Sequence, residues 1–114
     1  SLADPRVLIN TTVQVAYGTD LATLMPRLTQ VVAAVPRVLP DPGPGVLLTA
    51  FAADGLELTF GFWIGDPLNG QGNVRSDVNL AVLDVFEREG IEIPFPQRVM
   101  HHIGADPAAG KAGE

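Results

Sequence analysis

Two apolar runs, Val46 to Ala53 and Leu56 to Ile64, meet at Asp54-Gly55. That dipeptide suits a two-residue hairpin turn because both positions tolerate positive φ, so the centre of the chain is committed to a pair of antiparallel strands. Pairing Ala53 with Leu56 places Phe51 opposite Leu58, Thr49 opposite Phe60 and Leu47 opposite Phe62, an apolar face for helices to cover. The other face pairs Ala52 with Glu57, Ala50 with Thr59, Leu48 with Gly61 and Val46 with Trp63, polar near the turn and apolar at the far end.

The segments on either side complete a layered fold. From Val7 to Tyr17 the odd positions are Val, Ile, Thr, Val, Val and Tyr, and the period of two predicts a half-buried strand. Gly18-Thr19-Asp20 supplies a turn and a cap, and Leu21, Leu24, Leu28, Val31, Val32 and Val35 follow at helical spacing. Pro26 falls inside that helix and predicts a kink or a later start, since it removes one hydrogen bond and crowds the preceding turn. Pro36, Pro40, Pro42 and Pro44 with Gly43 and Gly45 make the next stretch a loop.

Gly65 to Gly72 is a second loop, with Asn73 the expected cap of a helix from Val74 to Glu89. Val74, Val78, Ala81, Val82, Val85 and Phe86 share one face of it, Leu80 and Leu83 fall outside that stripe, and Gly90 sits where a left-handed stop belongs. Ile91 to Ile93 predicts a last strand, broken by Pro94 and Pro96, and Gln97 to Ile103 one more strand leading away. The order strand, helix, strand, strand, helix, strand is the ferredoxin-like split βαβ arrangement: an α+β sandwich with two helices on one face of an antiparallel or mixed sheet. The organisation expected is a linker over 1–6, a single domain over 7–103 and a disordered tail over 104–114.

Composition narrows the function. Thirteen acidic residues against 7 basic ones give a formal charge of −6, which disfavours nucleic acid, since binding it depends on clustered Lys and Arg. The absence of cysteine removes disulfides, thiolate metal sites and a cysteine nucleophile. No apolar run approaches the roughly 18–20 residues that span a bilayer.

Several motifs carry a resemblance. They are Phe62-Trp63-Ile64 followed by Asp66-Pro67 and Asn69-Gly70, then Asn73-Val74-Arg75-Ser76-Asp77-Val78-Asn79-Leu80, then Gly90-Ile91-Glu92-Ile93-Pro94-Phe95-Pro96-Gln97-Arg98. Tyr17-Gly18-Thr19-Asp20-Leu21 and Pro36-Arg37-Val38-Leu39 with Asp41-Pro42 add to them. In this order they resemble the carboxy-terminal cytoplasmic domain of small-conductance mechanosensitive channels, over about Leu2 to Arg98.

The resemblance implies a parent subunit with membrane helices and a β-domain upstream, seven copies of which enclose a vestibule at the cytoplasmic face of a bacterial inner membrane. The fragment would touch the membrane only through those missing segments, and ions and osmolytes would pass by it. It further implies an axial strand, filled here by Gln97, Arg98, Val99, Met100 and His101. The match weakens from Val99 to His102, and Pro26 is a second departure.

The apolar residues left off the expected core, Val46, Leu48, Trp63, Leu80 and Leu83, are the candidate subunit interface, because contiguous exposed apolar patches mark partners. A rival reading puts a small-molecule effector on the Val46, Leu48 and Trp63 face, as in other ferredoxin-like regulatory modules. Catalytic, cofactor and metal sites are expected to be absent. His101 and His102 are adjacent, so in a strand they point to opposite faces, and Ser76 beside Asp77 has no histidine at a motif spacing. Asp66, Asp77, Asp84, Glu87 and Glu89 read as solvated or paired acids, not a catalytic pair.

Overall fold

The computed structural model describes residues 5–96 of the 114. Three strands, β1 (Val7–Val15), β2 (Gly45–Phe51) and β3 (Leu56–Ile64), form one sheet in the order β1-β3-β2. Two helices, α1 (Leu21–Ala33) and α2 (Gln71–Glu89), cover one of its faces. β3 runs antiparallel to both neighbours, so β1 and β2 are parallel to each other with β3 between them, the split βαβ geometry of the ferredoxin-like class.

β3 alternates without exception: Leu56, Leu58, Phe60, Phe62 and Ile64 are buried, while Glu57, Thr59, Gly61 and Trp63 are half-buried on the opposite face. β1 lies along it in unbroken register from Val7 opposite Ile64 to Val15 opposite Leu56, and its odd residues take the core side as the period predicts. Leu24, Leu28 and Val32 of α1, with Val74, Val78, Val82, Val85 and Phe86 of α2, close the core. Each large side chain buried there contributes about 1.5–3 kcal/mol by leaving water.

The hairpin corrects the expected register. Its turn holds four residues, closed by Ala52 N–H donating to the Gly55 carbonyl at 2.9 Å, so Phe51 pairs with Leu56 and not with Leu58. A shift of two residues keeps every side chain on its face, but a bulge between Leu48 and Ala50 adds one more and inverts the rest of β2. Val46 therefore pairs with Phe60 and is buried, Leu48 pairs with Leu58, and Leu47 faces outward opposite Thr59. The polar residues explain the choice: Thr49 Oγ1 lies 2.7 Å from Glu57 Oε1 and 2.9 Å from Thr59 Oγ1, a cluster that must face solvent. Gly55 is needed at the turn, because a Cβ there would come within 2.6 Å of both the Val15 carbonyl oxygen and Pro94 Cγ.

The helices start and stop for identifiable reasons. Asp20 caps α1 as expected, accepting from the Thr23 amide at 3.3 Å and from the Thr23 hydroxyl at 2.8 Å. The helix begins at that cap and continues through Pro26, so the expected later start is not realised. Pro26 is the sixth residue, two past Leu24, whose N–H already donates to the Asp20 carbonyl at 3.0 Å, so the helix forgoes one intrahelical bond there and is held by the burial of Leu24, Leu28 and Val32 on either side.

A short 3-10 turn (Pro67–Asn69) leads into α2, which begins at Gln71 and not at Val74; Asn73 lies inside it, and Gly70 at φ 99° precedes it. Gly90 ends α2 in the left-handed conformation, as its position predicts. Ile91 to Ile93 does not form the expected fourth strand: one bond, Ala16 N–H to the Glu92 carbonyl at 2.9 Å, ties it to the end of β1. In an extended chain the groups facing β1 next would belong to Pro94 and Pro96, which have no N–H to donate. The expected axial strand, Gln97, Arg98, Val99, Met100 and His101, and the tail lie outside the described residues.

Candidate functional site

Among the described residues, no helix lies over the outer face of the sheet. β1 presents Leu8, Asn10, Thr12 and Gln14 there, against Trp63, Gly61, Thr59 and Glu57 of β3. Gly45 and Leu47 of β2 continue the face beyond Gly61 and Thr59. Because Gly45 and Gly61 lie opposite each other without side chains, the surface dips into a depression of about 320 Å³ walled by Leu8, Leu47, Trp63 and Gly43. A Cβ on Gly61 would stand 3.1 Å from Asn10 Oδ1, whereas one on Gly45 would meet open space. Leu47 is 65% exposed. The three strands contain one acidic residue, Glu57, and its carboxylate is bound by Thr49. An acidic chain thus keeps one face with little charge, polar along Thr12, Gln14 and Thr59 and apolar at its Trp63 end.

A polar corner fixes the Trp63 end of this face. Arg37 donates from Nε to Asp66 Oδ2 at 2.8 Å and from Nη2 to the Asp66 carbonyl at 3.0 Å. Asn69 Nδ2 donates to the same Oδ2 at 3.2 Å. Next along the chain, Leu39 N–H donates to the Trp63 carbonyl at 2.8 Å. The Pro-rich crossover is thereby tied to the end of β3 and brings Gly43 to the wall of the depression. Arg37 holds φ 79°, a left-handed conformation uncommon outside glycine, because it follows Pro36 in a turn closed by Val38 N–H donating to the Val35 carbonyl at 3.2 Å; its side chain then anchors that turn to Asp66. The Arg37 hydrogen bond, followed by that of Asn69, holds the Asp66 carboxyl below the usual carboxylate range. Asp66 Oδ1 is buried without a hydrogen-bond partner.

The five candidate interface residues, Val46, Leu48 and Trp63 on the sheet and Leu80 and Leu83 on α2, do not share a surface. Val46 is in the core, and Leu48 lies on the helix side at the β2 edge. Trp63 is on the outer face, where its apolar neighbours are Leu8, on β1, and Leu47, which the two-residue-turn register turns inward. The available signal was the polar set Thr49, Glu57 and Thr59, which requires solvent on its own side of the hairpin. Leu80 opens on a cleft of about 390 Å³ between the helices with Val31, Val35 and Asp77, and Leu83 on a cavity of about 220 Å³ with Val13, Phe86 and Ile93. These ledges flank α2 and do not join the sheet face.

The acidic residues are largely engaged: Asp84 pairs with Arg88 and Glu89 with Arg27, each at 2.8 Å. Among the described residues no group of three or more His, Cys, Asp or Glu is placed to hold a metal ion, and no helix is long and apolar enough to cross a membrane.

Split βαβ topology, with one face covered by helices and the other uncovered among the described residues, defines a small α+β domain. Comparison with known proteins places it further. The family model described as "Mechanosensitive ion channel MscS, C-terminal" matches residues 9–93, and the chain belongs to that family. The crystal structure of Helicobacter pylori MscS in its closed state matches with a TM-score of 0.75 and 22% sequence identity, covering 84% of this chain and 38% of that one. The cryo-EM structure of Arabidopsis thaliana MSL1 matches with a TM-score of 0.64 and 15% identity, covering 81% of this chain and 35% of that one. At these identities the two structures establish the fold, and the chain spans little more than a third of either. No curated protein sequence matches the chain.

Proposed function

We propose that this domain is part of the cytoplasmic vestibule wall of a mechanosensitive channel that releases ions and small osmolytes on hypo-osmotic shock. Its role is architectural and non-enzymatic: it packs against further copies, seven in the parent channel, at the cytoplasmic face of a bacterial inner membrane. Family membership supports the channel context. The observation that carries the assembly role is the bare sheet face around Leu8, Leu47 and Trp63, with its single, already bonded carboxylate. Copies carrying a formal charge of −6 each repel one another, so they approach at lowest cost through the part of the surface that lacks charge. Leu80 and Leu83 supply secondary apolar ledges on α2.

Light scattering after size exclusion, across a concentration series and with Trp63→Ser alongside, tests this reading. A concentration-dependent oligomer weakened by Trp63→Ser is expected. A monomer at every concentration removes the claim that this domain drives assembly by itself. A second reading, an effector-binding regulatory module, is favoured by the depression of about 320 Å³ on the same face. A thermal-shift screen against osmolytes and nucleotides separates the two, since a ligand that prefers the folded state raises Tm.

A further inference from the structure

Asn69-Gly70 ends the 3-10 turn before α2, and Asn69 is exposed. It is the one asparagine followed by glycine; Asn10, Asn73 and Asn79 precede Thr11, Val74 and Leu80, whose side chains shield their backbone nitrogens. We propose that Asn69 is a site of spontaneous modification whose rate and consequence are both set by the Arg37–Asp66 clasp. The Gly70 backbone nitrogen attacks the Asn69 carboxamide carbon. A new N–C bond closes a five-membered succinimide while the bond to the side-chain nitrogen breaks, and ammonia leaves carrying the proton given up by the Gly70 amide. Solvent water then opens the ring at either carbonyl, giving aspartate or isoaspartate at this position.

The clasp is a brake on the first step. Ring closure needs the Asn69 carboxamide to leave Asp66 Oδ2, to which it donates at 3.2 Å, and the Gly70 N–H to leave the Pro67 carbonyl, also at 3.2 Å. Arg37 holds that oxygen in place at 2.8 Å, while the Asn69 N–H bond to the Asp66 carbonyl at 2.9 Å fixes the backbone below it. Asp54-Gly55 is chemically similar but sterically closed, since Gly55 is buried against Val15 and Pro94.

Conversion then releases the clasp. It replaces an N–H donor by a carboxylate beside Asp66, whose Oδ1 already lacks a partner. Like-charge repulsion at hydrogen-bond distance weakens the hold on the Arg37 guanidinium, so the Val35–Val38 turn, closed by one 3.2 Å bond from the Val38 N–H to the Val35 carbonyl, loses its side-chain anchor to Asp66. The crossover loosens at Leu39, and with it the bond to the Trp63 carbonyl.

The test is peptide mapping by mass spectrometry of the whole chain held at mildly alkaline pH, with amide exchange at Leu39 followed in fresh and aged protein. Asn69 should convert ahead of Asn10, Asn73 and Asn79, and Asp66→Asn should speed it roughly tenfold, the factor attached to one charge-assisted hydrogen bond. Arg37→Lys keeps the charge, loses the two-pronged hold and should give a smaller acceleration; Asn69→Gln should stay intact. Conversion no faster than at the other asparagines, or a rate unchanged in both clasp variants, overturns the proposal. Unchanged Leu39 exchange after conversion overturns its second half.

Discussion

The two faces of β3 are built from alternate residues of one strand, yet they answer to different demands. Leu58, Phe60, Phe62 and Ile64 are fully buried under the helices, where packing is close enough that a lost methylene is felt. Glu57, Thr59, Gly61 and Trp63 stand half-buried on the other side of the same backbone, with no element above them among the described residues. One side therefore holds the domain together, and the other is left to meet something else. Substitutions on adjacent residues of β3 should separate stability from association.

Phe62 and Trp63 make the strongest version of that contrast. Phe62→Ala removes a side chain with no exposed surface and leaves a cavity, so the domain should lose about 3–5 kcal/mol in chemical denaturation. Trp63→Ser gives up a half-buried side chain beside Leu8 and Leu47, so it should cost about 1 kcal/mol, well below Phe62→Ala, while weakening self-association. Equal losses from the two would break the comparison and put Trp63 in the core.

Glycines extend the contrast at a smaller scale. Gly55→Ala drives a Cβ to 2.6 Å from the Val15 carbonyl oxygen, a backbone atom that cannot swing away, so about 1–3 kcal/mol should be lost as the hairpin end shifts. Gly61→Ala places its Cβ 3.1 Å from Asn10 Oδ1, the end of a side chain that can rotate. Removing a glycine from a strand gains about 0.5–1 kcal/mol, so the net change in thermal unfolding should stay below that gain. The same methyl partly fills the outer depression, so any partner or effector seated there should bind more weakly.

Much of this division is legible in the sequence, and the failures have local causes. The alternation of Leu56 to Ile64 and of Val7 to Val15 predicts both strands and their inward faces, because period two is imposed by the pleat itself. Asp20 and Gly90 mark helix ends because each satisfies a requirement of the terminus. The β2 register is not legible from Asp54-Gly55 alone, since a two-residue turn and a four-residue turn with a bulge both accommodate that dipeptide. The difference moves Val46 into the core and brings Leu47 out beside Trp63. The Arg37–Asp66 clasp joins residues on separate loops, and no periodicity encodes such a contact.

That clasp gives the smallest effect and the one most specific to the outer face, whose Trp63 end it positions through Leu39. Arg37, and then Asn69, hold the folded-state pKa of Asp66 below the ordinary value of 3.8. A depressed carboxylate pKa contributes stability that is fully present above the unfolded value and is lost as pH falls through the folded one. The contribution should therefore persist at neutral pH and disappear only in strong acid, below 3.8. Following the Asp66 carboxyl carbon by NMR should show a titration displaced to lower pH, returning toward the ordinary value in Arg37→Gln. Aged protein with a carboxylate in place of the Asn69 amide should move the same way, since a neighbouring negative charge favours the protonated form. An Asp66 titration indifferent to Arg37 would mean the corner is held by backbone bonds alone, and the bare face would then owe its shape to the sheet and not to the crossover.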